Sequence, residues 1–214
     1  MCGRYSLISS INEIKERFQV KKISGHFLPN SNASPSQQLP LIANSDPERI
    51  VLAEWGIIPA WMKDETSPKR LINAKAETID IKPTFKNAAE KRRCLIIANG
   101  FYEWAQIPGQ KKKQPFFITL KNNSPFAMAG IYEIKKSHLE FAIITVAANT
   151  LMARIHNRMP AILLPADEKR WLSPNIALHN AIKMLKSYPA NKMQAAPLNG
   201  PTQKRQINEL PRLI

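Results

Sequence analysis

Residues 94–104 read CLIIANGFYEW, and this stretch indicates the fold class more directly than any other part of the sequence. It begins as an unbroken apolar run, which is typical of a buried strand. Cys94 opens the run, so we interpret it as a small core residue. Further along, a single carboxylate, Glu103, lies between Tyr102 and Trp104. The stretch therefore predicts a buried strand that leads into a polar position suited to chemistry.

Further strands are predicted on both sides of this stretch. The apolar segments 39–44 and 49–56 predict two strands that flank a turn at 44–47. After the quoted stretch come four more β-rich segments: 114–120, 125–134, 139–148 and 159–164. The basic segment 109–114 has the character of a hairpin connection.

Helices are few in this pattern. Ser10 and Glu13 match a capping box, which predicts a short helix after Ser10. Segments 166–172 and 175–188 predict two more helices, the second ended by Pro189.

Much of the remaining chain is predicted to be loop. Residues 19–38 and 59–92 are mostly loop with short helix, and 190–214 are rich in proline and expected to be extended. Strands that do not alternate with helices favour the α+β class over a doubly wound sheet. Because no linker interrupts the pattern, we expect a single domain over 2–214, with Met1 removed.

Composition narrows the function classes. The chain has 214 residues, with 31 Lys and Arg against 16 Asp and Glu, a net charge of +15. This charge indicates either a polyanion partner or solvated faces that aid solubility. No apolar run is long enough to cross a membrane, and the N-terminus lacks a secretory pattern. We therefore expect a cytoplasmic protein.

The two cysteines, Cys2 and Cys94, rule out a disulfide framework and lack metal-ligand spacing, so neither a metal nor an organic cofactor is predicted. Cys2 follows Met1, which methionine aminopeptidase removes when the second residue is small. The product has an amine and a thiol on adjacent carbons, and roughly a tenth of the amine is uncharged at neutral pH. Such a pair forms a thiazolidine with an aldehyde or acts as an acyl-transfer nucleophile. An incidental buried thiol is the alternative.

Three other polar residues complete a candidate set. Glu103 lies between aromatic residues, where a desolvated carboxyl suits a general acid or base; an outward-facing strand position is the alternative. His156 precedes Arg158 in an ordered loop and is either catalytic or a structural hydrogen bonder. Asn73 offers a neutral donor and acceptor for an amine or oxyanion. A nucleophile with an acid, an imidazole and an amide is a workable catalytic set.

Nine short stretches share the pattern of a known family. They are MCGRY (1–5), NASPSQ (32–37), WGIIPAWMKD (55–64), INAKAET (72–78), CLIIANGFYEW (94–104), QPFFI (114–118), AGIYE (129–133), ITVAAN (144–149) and IHNRMPAIL (155–163). In this order they resemble the SRAP family, the SOS response-associated peptidase family of abasic-site processing proteins. The resemblance runs from residue 2 to about 172.

The resemblance implies a central barrel-like antiparallel β structure flanked by short helices, in a monomer. It also implies binding to single-stranded DNA that carries an abasic site, with Cys2 as the crosslinking residue and Asn73, Glu103 and His156 around it. Localisation would then be cytoplasmic, on the nucleoid when bound to DNA. A weak lyase activity and self-processing by a peptidase reaction are further implications.

Basic and aromatic residues near these motifs fit DNA binding. Four cations are candidate phosphate contacts: Arg4, Lys75, Arg154 and Arg158. Trp61 and Trp104 are candidates for stacking on splayed bases, although Trp61 equally fits a core position. The family commonly has arginine where Lys75 stands, and lysine lacks the bidentate fork.

Two alternatives remain open from the sequence. One is a cysteine hydrolase with an N-terminal nucleophile, acting on peptides or amides. The other is a basic nucleic-acid-binding domain in which Cys2 is incidental.

Overall fold

The computed structural model describes residues 2–59, 61–62, 70–136 and 138–198. Its strands are β1 (Tyr5–Leu7), β2 (Lys22–Ile23), β3 (Asn30–Ala33), β4 (Gln38–Ala43), β5 (Arg49–Trp55), β6 (Asn73–Lys75), β7 (Arg93–Ala98), β8 (Gly100–Ala105), β9 (Gln114–Leu120), β10 (Phe126–Ile134), β11 (Leu139–Ala147), β12 (Arg158–Pro160) and β13 (Met193–Pro197). Its α-helices are α1 (Ile11–Phe18), α2 (Pro83–Lys91), α3 (Pro165–Leu172) and α4 (Leu178–Ile182). Single 3₁₀ turns occupy Ala76–Thr78, Met152–Arg154 and Ala190–Lys192.

Five strands close into a barrel in the order β11-β10-β7-β4-β5. Neighbours in this order pair antiparallel, and the ring closes where β5 and β11 pair in parallel through Glu54↔Glu140 and Trp55↔Phe141. Strands β2, β6 and β12 extend it at the edges. The predicted α+β class with a central barrel and short flanking helices is confirmed.

A second sheet carries the N-terminal strand. Its order is β13-β9-β8-β1-β3, and β1 pairs antiparallel with both β8 and β3. Strands β8 and β9 form the predicted hairpin around the basic connection. Because β1 lies inside this sheet, the residues just before Tyr5 are held by neighbours on both sides.

Aromatic packing joins the two sheets. The ring of Trp55, which is fully buried in the barrel, stacks on Phe141 with centroids 6.1 Å apart. The Trp55 ring also lies 5.3 Å from the ring of Tyr5. Burial of such large side chains dominates core energetics. The start of β1 is therefore anchored in the same core as the barrel.

Polar contacts fix the chain on each side of β1. The predicted capping box is present, since Ser10 N donates to Glu13 Oε2 at 2.6 Å and Glu13 N donates to Ser10 Oγ at 3.3 Å. The side-chain oxygen of Asn99 accepts hydrogen bonds from the main-chain amides of Ile8 and Ser9, at 2.8 and 3.0 Å. The turn after β1 is thus tied to the start of β8.

Charged residues near the junction of β5 and β11 fix the residues just before β6. Arg70 pairs with Glu54 at 2.7 Å, and the nearly fully buried carboxylate of Glu140 accepts from Ile58 N at 2.9 Å. An isolated β-bridge joins Ile57 to Leu71. These contacts set where the chain enters β6.

Four predicted elements differ from the structure. The segment 59–92, predicted as mostly loop and short helix, contains β6, which pairs with β11; residues 60 and 63–69 of that prediction lie outside the described residues. The predicted loop 19–38 contains β2 and β3, which form only through pairing with distant strands. The predicted strand 159–164 is shorter, because only β12 pairs in a ladder and Ile162 adds a single bridge. The predicted helix 175–188 is limited to α4, because the Ser187 hydroxyl donates to Ala147 O at the end of β11 and the Tyr188 carbonyl accepts from Asn149 Nδ2 just after it.

The C-terminal segment predicted to be extended begins with a 3₁₀ turn and continues as β13, which pairs with β9. Residues 199–214 of that prediction lie outside the described residues. Within the ranges that the structure describes, no helix is long and apolar enough to cross a membrane.

Candidate active site

Cys2 is fully buried at the entrance of β1. The register of β1 on β8 pairs Tyr5 with Phe101, and Tyr102 N donates to Arg4 O at 3.0 Å, so the chain before Arg4 runs alongside the second half of β8. The pKa of the Cys2 thiol lies well above its ordinary value, mainly because of burial and further because of the nearby Glu103 carboxylate. The thiol is therefore protonated at neutral pH.

Asn73 connects β6 to Cys2. Its side-chain Nδ2 donates to the main-chain oxygen of Cys2 at 3.0 Å. Its Oδ1 is buried and accepts no hydrogen bond from the residues that the structure describes. Strand β6 is in turn held by parallel pairing with β11, where Asn73 lies opposite Ile143. Asn73, on a strand of the barrel sheet, thus fixes the main chain of Cys2, which lies at the start of the second sheet.

Glu103 lies on β8 with 3% of its surface exposed, so the alternative of an outward-facing strand position is wrong. It pairs with Phe116 on β9, while the rings of Tyr102 and Phe117 pack 4.8 Å apart on the opposite face of the hairpin. Gly100 allows this packing, because a Cβ there would lie 2.4 Å from the Phe117 ring. The Glu103 carboxyl group is therefore buried on the other face, close enough to the Cys2 thiol to raise the pKa of that thiol.

His156 follows the 3₁₀ turn Met152–Arg154, and its main-chain N–H donates to Met152 O at 2.8 Å. Its ring Nδ1 lies 3.0 Å from the main-chain nitrogen of Arg158, which donates to it when Nδ1 carries no proton, and 3.3 Å from Arg158 O. A neutral ring with Nδ1 as acceptor carries its proton on Nε2. The second half of β11 pairs with β6, which carries Asn73, along one edge and with β12, which follows His156, along the other. The same strand therefore supports both residues.

Arg158 makes an internal ion pair. Its guanidinium binds both carboxylate oxygens of Glu77, at 2.5 and 2.9 Å. The same group donates to the main-chain oxygen of Thr145 at 2.6 Å and to its hydroxyl at 3.2 Å. The hydrogen bond from Arg158 lowers the pKa of Glu77. Arg158 thus links three elements around the candidate site.

The other predicted DNA contacts have varied surroundings. Arg4 is half-buried and donates to Asn32 Oδ1 at 2.8 Å. Lys75 ends β6 and is exposed, as is Arg154 in the turn before His156. Trp104 is half-buried on β8. With 69% of its surface exposed, Trp61 is not a core residue, which excludes that alternative.

Sequence reasoning assigned no role to several residues that hold the site. Glu77 and Thr145 anchor Arg158, while Asn99 fixes the end of β1 and Asn32 holds Arg4. Glu77 stands in the stretch INAKAET beside Asn73, which was a signal for its nearness to the site. The roles of Asn32 and Asn99 depend on contacts with distant segments, which the sequence did not reveal.

Other features of the surface lie away from Cys2. A groove of about 690 Å³ runs between α1 and α3 and includes Arg17 and Glu168, which form a two-pronged ion pair at 2.7 and 2.9 Å. Another, of about 770 Å³, lies beside α4 and includes Met184. Among the described residues, no three His, Cys, Asp or Glu side chains come together as a metal site requires.

Comparison with known proteins places this geometry in a family. The family model described as SOS response associated peptidase (SRAP) matches residues 1–203. The chain belongs to the SRAP family. An SRAP relative, abasic site processing protein YoaM of Bacillus subtilis (strain 168), is 39% identical over 204 residues, covering 91% of this chain and 89% of YoaM.

More distant SRAP relatives and a solved structure agree with this assignment. The abasic site processing protein HMCES of Mus musculus is 30% identical over 204 residues, which cover 74% of this chain and 58% of HMCES. A crystal structure of a protein from Bacteroides thetaiotaomicron superposes with a TM-score of 0.83 at 28% identity, covering 97% of both chains. The two chains therefore share their fold over nearly their whole length.

Proposed function

We propose that this SRAP protein binds single-stranded DNA bearing an abasic site and becomes covalently linked to it through Cys2. Relatives named abasic site processing proteins support the substrate class. The observation that carries the proposal is the buried Cys2, held by Asn73 and adjacent to the carboxyl group of Glu103. A cysteine in that setting suits a reaction that needs a protected terminus rather than an exposed thiol.

The proposed reaction joins an aldehyde to an aminothiol. After Met1 is removed, the Cys2 amine attacks C1′ of the ring-opened sugar, and the resulting carbinolamine loses water to give a Schiff base. The thiol sulfur then adds to the same carbon, and the proton that the thiol loses ends on the former imine nitrogen as the C–S bond closes a five-membered thiazolidine. Overall, one water leaves, and the DNA and protein remain linked by one ring.

The environment of the thiol supports this order of steps. Because the pKa of Cys2 is raised by burial and by Glu103, the thiol is a poor nucleophile until a base takes its proton. The amine therefore reacts first. Glu103 is assigned as the group that moves protons during ring opening and closure, since its carboxyl group is close enough to influence the thiol.

Asn73 and His156 are assigned positioning and proton-donating roles. The Asn73 amide holds the Cys2 main chain, and its buried Oδ1 is available to accept a hydrogen bond from the Cys2 amine. His156, with Nδ1 occupied as an acceptor, is assigned to donate from Nε2 to the sugar oxygen during ring opening. Both roles orient the sugar relative to Cys2.

The DNA partner is expected to bind through charge and stacking. The net charge of +15 favours a phosphate backbone, and the exposed Lys75, Arg154 and Trp61 are candidate contacts. The linked product would shield the lesion from strand cleavage. We expect a cytoplasmic monomer that is associated with the nucleoid when bound to DNA.

The Schiff base also permits a weak lyase reaction, because it activates the neighbouring sugar carbon for strand cleavage. Self-processing is a second proposed activity. Met1 directly precedes Cys2, and the family description includes a peptidase. A thiol beside a carboxyl group could hydrolyse that peptide bond.

Intact-mass spectrometry tests the main proposal. The protein is incubated with a single-stranded oligonucleotide that carries one abasic site, and an oligonucleotide of the same sequence without the lesion is the control. We expect loss of Met1 and a new species at the summed mass minus one water. Cys2→Ala should bind DNA with the same salt dependence and form no heat-stable adduct. An adduct formed by Cys2→Ala would contradict the proposal.

Two further variants separate the steps. A form that retains Met1 should not crosslink, because the amine is consumed in a peptide bond. Glu103→Gln should slow both formation and reversal of the adduct; unchanged rates would remove Glu103 from the mechanism. If processed wild-type protein forms no adduct, peptide substrates become the next test, since the hydrolase alternative needs no DNA.

A further inference from the structure

We propose that Glu77 is a positioning residue for His156, acting through Arg158. The inference rests on the proposed function, because it assigns a role in the crosslinking reaction. Glu77 does not touch the atoms assigned to react; it holds the residue whose main chain orients the His156 ring.

The guanidinium of Arg158 is held on two sides. Glu77 binds both of its terminal nitrogens, at 2.5 and 2.9 Å. Thr145, which is fully buried on β11, accepts from one of those nitrogens through its main-chain oxygen at 2.6 Å. Two-pronged pairing of this kind fixes the plane of a guanidinium as well as its position. The Arg158 side chain is therefore locked between β11 and the 3₁₀ turn after β6.

The main chain of Arg158 controls the His156 ring. Its N–H donates to His156 Nδ1 at 3.0 Å across one intervening residue. Pairing of Arg158 with Ala147 on β11, and the hydrogen bond from Ala148 N to Asn157 O at 3.1 Å, keep this turn against the strand. A shift of Arg158 would move the donor that sets both the orientation and the proton position of the imidazole.

Because the Glu77 side chain is half exposed, its positioning role can be tested without a large loss of folding stability. Half of its side chain is exposed (51%), and exposed ion pairs contribute little to folding stability. Removing its charge should therefore leave the fold intact. What changes is the placement of Arg158, whose side chain is only 14% exposed.

Glu77 also decides what Arg158 is available to bind. While the carboxylate occupies both nitrogens, a DNA phosphate must compete with it. If Arg158 were chiefly a phosphate contact, removing Glu77 would strengthen DNA binding without slowing the chemistry. If Glu77 positions His156, removal lowers the rate at saturating protein. Affinity and rate therefore report different roles.

The experiment measures the crosslinking rate constant at saturating protein for the wild type, Glu77→Gln and the matched control Glu133→Gln. Glu133 makes a similar two-oxygen pair with Arg92, at 2.9 Å to each oxygen, and lies opposite the other end of β11. We expect Glu77→Gln to react about tenfold more slowly, which is the change that about 1.4 kcal/mol produces. Glu133→Gln should react at the wild-type rate.

A double-mutant comparison shows whether the effect passes through His156. In a His156→Ala background, Glu77→Gln should cause no further slowing. The ¹⁵N chemical shifts of the His156 ring, measured without DNA, should show Nδ1 as an acceptor in the wild type and a changed tautomer balance in Glu77→Gln.

Each outcome decides between the proposals. An unchanged rate or unchanged ring shifts in Glu77→Gln overturns the positioning role, as does equal slowing in the His156→Ala background. Failure of the wild type to form any adduct overturns the proposed function instead. The ring shifts then still test the link from Glu77 to His156, because they need no substrate.

Discussion

The side-chain amide of Asn73 lies 3.0 Å from the main-chain oxygen of Cys2, and this hydrogen bond joins a strand on the barrel to the entrance of the second sheet. The two residues are 71 positions apart. The position of Cys2 is thus determined by both sheets, and the placement of its main-chain nitrogen and thiol depends on the barrel being folded.

Asn73→Ala is expected to slow crosslinking. The variant leaves the Cys2 carbonyl without its donor, a loss of about 1–3 kcal/mol for a buried group, which corresponds to roughly 5- to 150-fold in rate if the cost falls on the reaction. The rate constant at saturating protein is the measurement. Asn44→Ala is the control, because Asn44 also donates from Nδ2 to a main-chain oxygen, that of Lys91, at 3.1 Å. Equal rates for wild type and Asn73→Ala would contradict the assignment.

Stability should fall at alkaline pH because two thiols are buried. Burial raises the pKa of both Cys2 and Cys94, so the unfolded chain releases these protons at a lower pH than the folded protein does. Their contribution to the free energy of unfolding is complete below about pH 8.5, the pKa of a thiol in the unfolded chain. Above that pH the contribution decreases by up to about 1.36 kcal/mol per pH unit for each thiol. Denaturant unfolding between pH 7 and 10 measures this slope.

Cys94→Ala tests the source of that slope. We expect the variant to have a shallower decline between pH 9 and 10 than the wild type, whatever its stability at pH 7. An identical slope would mean that Cys94 ionises equally in both states.

Arg93 is expected to be the most costly cation to remove. It is fully buried, and its guanidinium donates to the main-chain oxygens of Ala89, Glu90, Trp171 and Ser173, at 2.6–2.9 Å. Arg93→Met removes all these donors and leaves carbonyls unsatisfied at the ends of α2 and α3. We expect a loss of about 3 kcal/mol or more in the free energy of unfolding.

Thermal unfolding measures this loss, and a melting temperature lower by roughly 6–12 °C is expected for a chain of this size. Arg170→Ala is the control, because the Arg170 side chain is 64% exposed in its pair with Asp167. It should change stability by about 0.5 kcal/mol or less. A similar loss in both variants would show that the buried hydrogen bonds of Arg93 contribute little.

Gly100→Ala should impair both folding and chemistry. A Cβ at this position would lie 2.4 Å from the Phe117 ring and 2.8 Å from the main-chain oxygen of Ile118, so β8 and β9 must shift. Overpacking of this kind costs about 1–3 kcal/mol, and β8 also carries Glu103. Gly109→Ala is the control: its φ of +80° makes alanine strained, but nothing lies within 4 Å. The control should lose stability and keep the wild-type crosslinking rate.

Trp61→Ala should weaken DNA binding without affecting the fold. With 69% of its surface exposed, Trp61 contributes little to the core. A stacked base contributes about 1–3 kcal/mol, so affinity for single-stranded DNA should fall roughly 5- to 150-fold. Fluorescence anisotropy with a lesion-free oligonucleotide and a melting curve together make the measurement. A lower melting temperature with unchanged affinity would assign Trp61 to packing.

Local patterns in the sequence predicted the elements that depend on neighbouring residues. The capping box at Ser10, the strands on each side of the turn at 44–47 and the buried run from Cys94 all formed as expected. Strand β3, with the sequence Asn-Ser-Asn-Ala, was not predicted because its residues have low strand propensity. It exists because β1 supplies a partner.

The residues of the candidate site were predicted, but their arrangement was not. Nothing local in the sequence indicated that Asn73 would bond to Cys2 or that Glu103 would be buried beside its thiol. The family resemblance supplied that grouping. The Arg158 guanidinium is bound by Glu77 and by Thr145, which are 81 and 13 residues away along the chain. No periodic pattern in the sequence could reveal contacts at these separations.

The long-range pairing of β1 has a consequence during protein synthesis. Tyr5 pairs with Phe101, so β1 must wait while roughly a hundred residues are translated, which takes about 5–20 s at typical rates. For that interval the first residues of the nascent chain cannot reach their buried position. Removal of Met1 by an aminopeptidase, where it occurs, would therefore take place on an open chain, before the sheet closes over Cys2.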